Sequence, residues 1–123
     1  VLGYMQLGVW RDAGTLWSYA VVRDPDSYVG HNNLGNHFSR QGQFRRAVAH
    51  YAAAVRILPT ADGYTNLGMA LGHLGECDAA ITAVRRALSL QPDHALAQAQ
   101  LRHLRWRVSR ATAPAPPGPS RPE

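Results

Sequence analysis

A 33-residue internal repeat restricts the fold of this chain more than any other feature of its sequence. Gly35 and Gly68 stand 33 residues apart (68 − 35), and so do Pro59 and Pro92 (92 − 59). Between those ends the internal offsets agree. The first copy reads His31-x2-Leu34-Gly35-x2-Phe38, then Gly42, Ala47, Tyr51, Ala54 and Pro59. The second reads Tyr64-x2-Leu67-Gly68-x2-Leu71, then Gly75, Ala80, Val84, Ala87 and Pro92. A partial copy lies upstream in Gly8, Ala13, Trp17, Ala20 and Pro25, with the same Ala-to-Pro interval of 12 (25 − 13, 59 − 47, 92 − 80). A sequence that repeats on this scale builds a stack of similar units, because one unit cannot bury its apolar face alone.

Within each copy the spacings are helical. Gly35 and Ala47 are small where two antiparallel helices have to approach closely, and Phe38, Tyr51 and Ala54 face one another across the pair. Gly42 and Gly75 sit between the apolar runs, where a tight turn between helices calls for positive φ. Pro59 and Pro92 close the second helix of each copy, since proline restricts the residue before it and has no amide proton. Asp26, Asp62 and Asp93 are then expected to cap the helices that follow. Predicted helices run over 1–7, 10–23, 27–41, 44–57, 62–74, 77–90 and 94–110. The last carries Ala97, Leu101, Leu104 and Val108 on one narrow stripe, with Arg102, Arg105, Arg107 and Arg110 on its remaining face. That pattern suits a capping helix with one face on the stack and one in water. From Ala111 the sequence ATAPAPPGPSRPE is proline-rich and lacks periodicity, which predicts a disordered tail over 111–123.

These slots resemble the tetratricopeptide repeat (TPR) family, whose pattern is W-x2-L-G-x2-Y, A-x3-F and then P at a period of about 34 residues. The likeness covers residues 1–92; His31 and Tyr64 stand in place of Trp, and Leu71 and Val84 in place of aromatics. It implies an all-α, right-handed α-solenoid of antiparallel helix pairs with a C-terminal capping helix. The organisation expected is a repeat domain over 1–110, with a partial repeat at 1–26, repeats at 27–60 and 61–93, and the cap at 94–110. In such arrays the first helix of each pair lines a concave face where an extended peptide lies. Carried onto this chain, the groove positions are Val29, Asn32, Asn33, Asn36, Ser39 and Arg40 in one copy. In the next they are Asp62, Thr65, Asn66, Met69, Gly72 and His73. All of these except Val29, Ser39, Asp62 and Gly72 are the candidate peptide-binding residues.

Helical spacing supports that assignment. Asn33, Asn36 and Arg40 are separated by three and four, as are Asn66, Met69 and His73. Asn33 and Asn66 occupy the same slot, and a carboxamide offers both a donor and an acceptor to a peptide backbone of any sequence. Ladders of this kind line the TPR superhelix of the O-linked N-acetylglucosamine transferase, which the NLG motifs resemble. The other reading of Asn before Leu-Gly is a consensus residue on a solvated surface.

Composition narrows the chemistry further. With 123 residues, 46% of them hydrophobic, the chain fits one domain. All thirteen basic residues are Arg, and a formal charge of +5 permits an acidic partner without demanding one. Because it opens on Val1 rather than Met, the chain reads as a fragment or processed piece of something longer. Cys77 is alone and aligns with Phe44, so a small buried hydrophobe is expected there and no internal disulfide. None of the six histidines has HExxH or H-x3-H spacing, so neither a metal nor another cofactor is expected. There is no Gly-rich phosphate loop, no G-x-S-x-G elbow and no carboxylate pair on one helix face. The expectation is a protein-interaction scaffold with a protein or peptide partner, not an enzyme.

Two features at the ends leave alternatives open. Trp106 lies between Arg105 and Arg107, which fits a solvated cap face, a membrane or partner contact, or an RNA-stacking surface. The arginines are scattered around the helix rather than aligned, which favours the first and argues against nucleic acid. No stretch reaches the roughly 18–20 apolar residues needed to cross a bilayer, and no signal peptide opens the chain. Yet Trp10-Arg11-Asp12, followed by Leu16-Trp17 and Ala20, resembles the junction in the transmembrane-and-TPR O-mannosyltransferase family and its bacterial relatives. That likeness implies a substrate-docking or regulatory tail of a multi-pass membrane glycosyltransferase, tethered to a membrane through residues preceding Val1. The rival expectation is a plain soluble repeat protein in which Trp17 is an ordinary core aromatic.

Overall fold

The computed structural model describes residues 13–112 and Gly118. The expected helix over 1–7, the Trp10-Arg11-Asp12 junction and the proline-rich stretch from 113, Gly118 apart, lie outside them. The described residues form six α-helices: α1 (Ala13–Arg23), α2 (Tyr28–Arg40), α3 (Phe44–Ile57), α4 (Ala61–His73), α5 (Cys77–Leu90) and α6 (Ala95–Thr112). Each helix packs on the next in sequence, and α4 also touches α6. The result is the all-α solenoid of antiparallel hairpins that the repeat predicts. α6 runs to Thr112, two residues past the expected end of the cap, so the tail assigned to 111–123 begins inside a helix.

Alanine and glycine make the nesting possible. Ala47, Ala54, Ala80, Ala87 and Ala97 are fully buried at the helix contacts. A β-carbon added to Gly35 would stand 2.7 Å from the Tyr51 ring, and one on Gly68 would stand 2.6 Å from Val84 Cγ2. Helix backbone therefore rests directly on a neighbour's side chain within both pairs, α2–α3 and α4–α5. An alanine buries little apolar area, so the close approach, with the dispersion contacts it brings, carries much of the stabilisation. The larger buried groups, Val84 and Leu104, join it from α5 and α6.

The turns follow from the sequence in detail. Gly42 and Gly75 have φ of 75° and 82°, the left-handed region where a side chain is strained. Around each, two backbone bonds close the helix end: Gln43 N–H to Phe38 O and Gly42 N–H to Ser39 O, then Glu76 N–H to Leu71 O and Gly75 N–H to Gly72 O. This is the Schellman arrangement in both copies. Leu58 and Gln91, each just before a proline, are extended, so the second helix stops there.

The helix starts differ from expectation. Asp26, Asp62 and Asp93 do not cap. Ser27 accepts from Gly30 N–H and Thr60 accepts from Gly63 N–H, both at 2.9 Å. His94 Nδ1 takes the same role for Ala97 N–H at 3.1 Å. Asp62 falls inside the first turn of α4, where its charge suits the helix dipole, and it accepts from His94 Nε2 at 2.6 Å. A second contact between repeats joins Tyr28 Oη to Thr60 Oγ1 at 2.9 Å. His31 Nε2 lies 2.8 Å from the Pro25 carbonyl, which can only accept. Its Nδ1, 3.1 Å from His50 Nδ1, is then the acceptor in the neutral ring, and His50 is the donor.

Candidate functional site

The face shared by α2, α4 and α6 holds a groove of two adjoining basins. The first, about 190 Å³, is lined by Asn36, Ser39, Arg40, Tyr51, Asn66 and Met69. The second, about 140 Å³, is lined by Met69, Gly72, His73, Gln100, His103, Leu104 and Arg107. Met69 belongs to both and forms the sill between them. Each basin is smaller than the roughly 300–1,000 Å³ of a drug-sized ligand site. Their scale suits single side chains of an extended chain.

Of the residues expected in the groove, Asn36, Arg40, Asn66 and Met69 come together in the first basin, and His73 joins Met69 in the second. Asn32 lines neither; its Oδ1 accepts from Asn66 Nδ2 at 3.4 Å and so ties α2 to α4. Asn33 and Val29 line neither basin. Thr65 is a correction. It is 1% exposed, and its hydroxyl donates to the Ala61 carbonyl at 2.8 Å, so it has no surface to offer a ligand. α4 is flanked by α3, α5 and α6, which leaves it a narrower open face than α2.

Tyr51, Gln100, His103 and Arg107 were not foreseen in the groove. Tyr51 is 3% exposed, with its ring on the bare backbone of Gly35. Its phenol reaches through the hairpin and donates to Asn36 Oδ1. Burial pushes that phenol above its ordinary value of 10.0, against the opposing hydrogen bond of Ser39 and the charge of Arg40. It therefore stays protonated. Arg107, assigned from sequence to the solvent face of the cap, donates to the Gly72 carbonyl at 2.8 Å, in the last turn of α4. His73 is stacked on Phe44, with ring centroids 4.3 Å apart.

The electrostatics are one-sided. Arg40 and Arg107 contribute full positive charges, and no Asp or Glu lines either basin. Past the second basin Trp106 is 58% exposed, stacked on His103 and covered by the Arg110 guanidinium at 5.6 Å. No helix among the described residues is long and apolar enough to cross a membrane.

Models of the tetratricopeptide repeat match residues 1–62 and 61–94. The chain belongs to the tetratricopeptide repeat family. Solved TPR structures show the same fold. The Sgt2 TPR domain from Aspergillus fumigatus is 17% identical with a TM-score of 0.82, over 98% of this chain and 82% of that one. The first TPR of Spaghetti (RPAP3), bound to the HSP90 peptide SRMEEVD, is 22% identical with a TM-score of 0.77, over 87% and 86%. The second TPR domain of human RPAP3, in complex with the HSP70 peptide SGPTIEEVD, is 16% identical with a TM-score of 0.74, over 84% and 87%. Among curated proteins none matches the chain at a significant level.

Proposed function

We propose that this TPR unit is an interaction scaffold, not a catalyst, and that it holds an extended, acidic peptide segment of a partner across α2, α4 and α6. The observation that carries the reading is the pair of side-chain-sized basins, joined by Met69 and lined by Arg40 and Arg107 without a carboxylate. Asn36 and Asn66 supply hydrogen bonds to the chain, Met69 adapts to its side chains, and Arg40 and Arg107 attract its charge. The acidic peptides carried by the two RPAP3 domains make natural first probes.

Isothermal titration of the full chain with SRMEEVD and SGPTIEEVD tests this directly. Asn36→Ala with Asn66→Ala is expected to weaken binding about tenfold, the loss of two modest hydrogen bonds, with helical circular dichroism intact. Affinity that survives both substitutions would remove the groove from the interaction. The alternative of a docking tail on a membrane glycosyltransferase rests on the apolar opening and on Trp10-Arg11-Asp12 with Leu16, Trp17 and Ala20.

A further inference from the structure

We propose that Tyr51 is a positioning residue of the groove: its phenol fixes the Asn36 carboxamide with the amide N–H bonds turned toward the first basin, so that this basin takes hydrogen-bond acceptors. The proposal deepens the peptide-groove reading above and rests on it.

Tyr51 is the one residue of α3 that lines either basin; every other lining residue comes from α2, α4 or α6. Its ring cannot withdraw, because it lies against the backbone of Gly35 where even a β-carbon would not fit. The phenol has a single proton, and it goes to Asn36 Oδ1. A carboxamide is planar, with its oxygen and nitrogen on opposite sides. Once Oδ1 is held inward by Tyr51, Nδ2 has to point away from it. Without that bond the two ends of the amide would be nearly equivalent in shape, and either could face the basin. Asn66 is held the other way round: its Nδ2 donates to Asn32, which leaves its Oδ1 as an acceptor on the opposite side. Arg40 adds a guanidinium, which can only donate. Around Asn36 and Arg40 the first basin thus presents N–H groups, and the chemistry that end reads is an oxygen acceptor, whether a main-chain carbonyl or a carboxylate.

The test is a double-mutant cycle on the full chain, with SRMEEVD as the titrated probe. Tyr51→Phe keeps the ring and removes only the hydroxyl. It is expected to weaken binding about fivefold in the wild-type background and to change nothing in the Asn36→Ala background. An equal loss in both backgrounds would show that Tyr51 acts independently of Asn36 and would overturn the proposal. A second arm needs no ligand. The side-chain amide resonances of Asn36 in a 1H–15N spectrum should move in Tyr51→Phe while those of Asn33 stay; an unmoved Asn36 pair overturns the proposal. Repeating the cycle with C-terminally amidated SRMEEVD separates the two acceptor sources. A loss confined to the free acid assigns the terminal carboxylate, and an equal loss assigns a carbonyl or side-chain oxygen. If SRMEEVD does not bind the wild-type chain, the groove reading fails for this probe, and the ligand-free spectrum still decides how Asn36 is held.

Discussion

Substituting Gly68 by alanine probes the nesting of α4 on α5 with a single methyl group. The new β-carbon would lie 2.6 Å from Val84 Cγ2 and 3.2 Å from the Ala80 carbonyl oxygen. Val84 is fully buried, so it has no solvent to turn into, and the carbonyl belongs to helix backbone. Relief therefore requires the two helices to move apart. Overpacking of this kind costs about 1–3 kcal/mol, while alanine in place of glycine inside a helix returns about 0.5–1 kcal/mol. The net expectation is a loss of about 1–2 kcal/mol, or about 5–15 °C in Tm for a unit of this size. Gly72→Ala is the internal control. Its β-carbon meets only the side chains of Leu104, Cδ2 at 3.3 Å, and Arg107, Nη1 at 3.7 Å, which a shift of a few tenths of an ångström would relieve, so the helix gain offsets most of the crowding. Thermal and urea unfolding followed by circular dichroism at 222 nm would rank wild type and Gly72→Ala together and Gly68→Ala well below. A Gly68→Ala variant as stable as wild type would refute the close backbone approach on which the stack is argued to depend.

Two further outcomes follow from the polar contacts. Thr60→Ala removes the cap of α4 and the partner of the Tyr28 hydroxyl, and urea unfolding should report a loss of about 1–2 kcal/mol, largely restored by Thr60→Ser. The pKa of His50 is lowered from its ordinary 6.5 by burial and then by the neighbouring His31. The unfolded chain then takes the proton more readily than the folded one, so this stability is present above pH 6.5 and is lost as pH falls through the lowered folded value. Tm should therefore drop as the pH falls from 6.5 through that lowered value, and His50→Gln, which can still donate to His31, should flatten the curve.

The architecture was legible because its signals are repeated and local. Gly42, Gly75, Pro59 and Pro92 each impose a backbone conformation by themselves, and the copies agree on where. The caps differ from expectation because aspartate, serine, threonine and histidine can all accept from a helix N-terminus, and the sequence does not say which neighbour does: Ser27 and His94 stand one residue after the aspartates, Thr60 two before. Thr65 was placed in the groove by analogy with Asn32, its counterpart 33 residues upstream. Periodicity fixes the direction of a side chain but not how many neighbours close over it. Tyr51 was read correctly as a core aromatic facing across the hairpin. That its hydroxyl would emerge at the groove depends on the thinness of the backbone at Gly35, a distance that no sequence pattern encodes. Arg107 was missed because a cation on an amphipathic helix is ordinarily solvated, and its acceptor, the Gly72 carbonyl, lies 35 residues away.

A flexible thioether as the common wall of two small chambers has its own consequence. Methionine has three rotatable bonds, so whatever enters one chamber dictates how much room the other keeps. Preferences at neighbouring positions along a bound strand are then linked. A substitution series on such a strand should give paired effects that differ from the sum of the single ones, and Met69→Ile, which stiffens the partition, should restore independence.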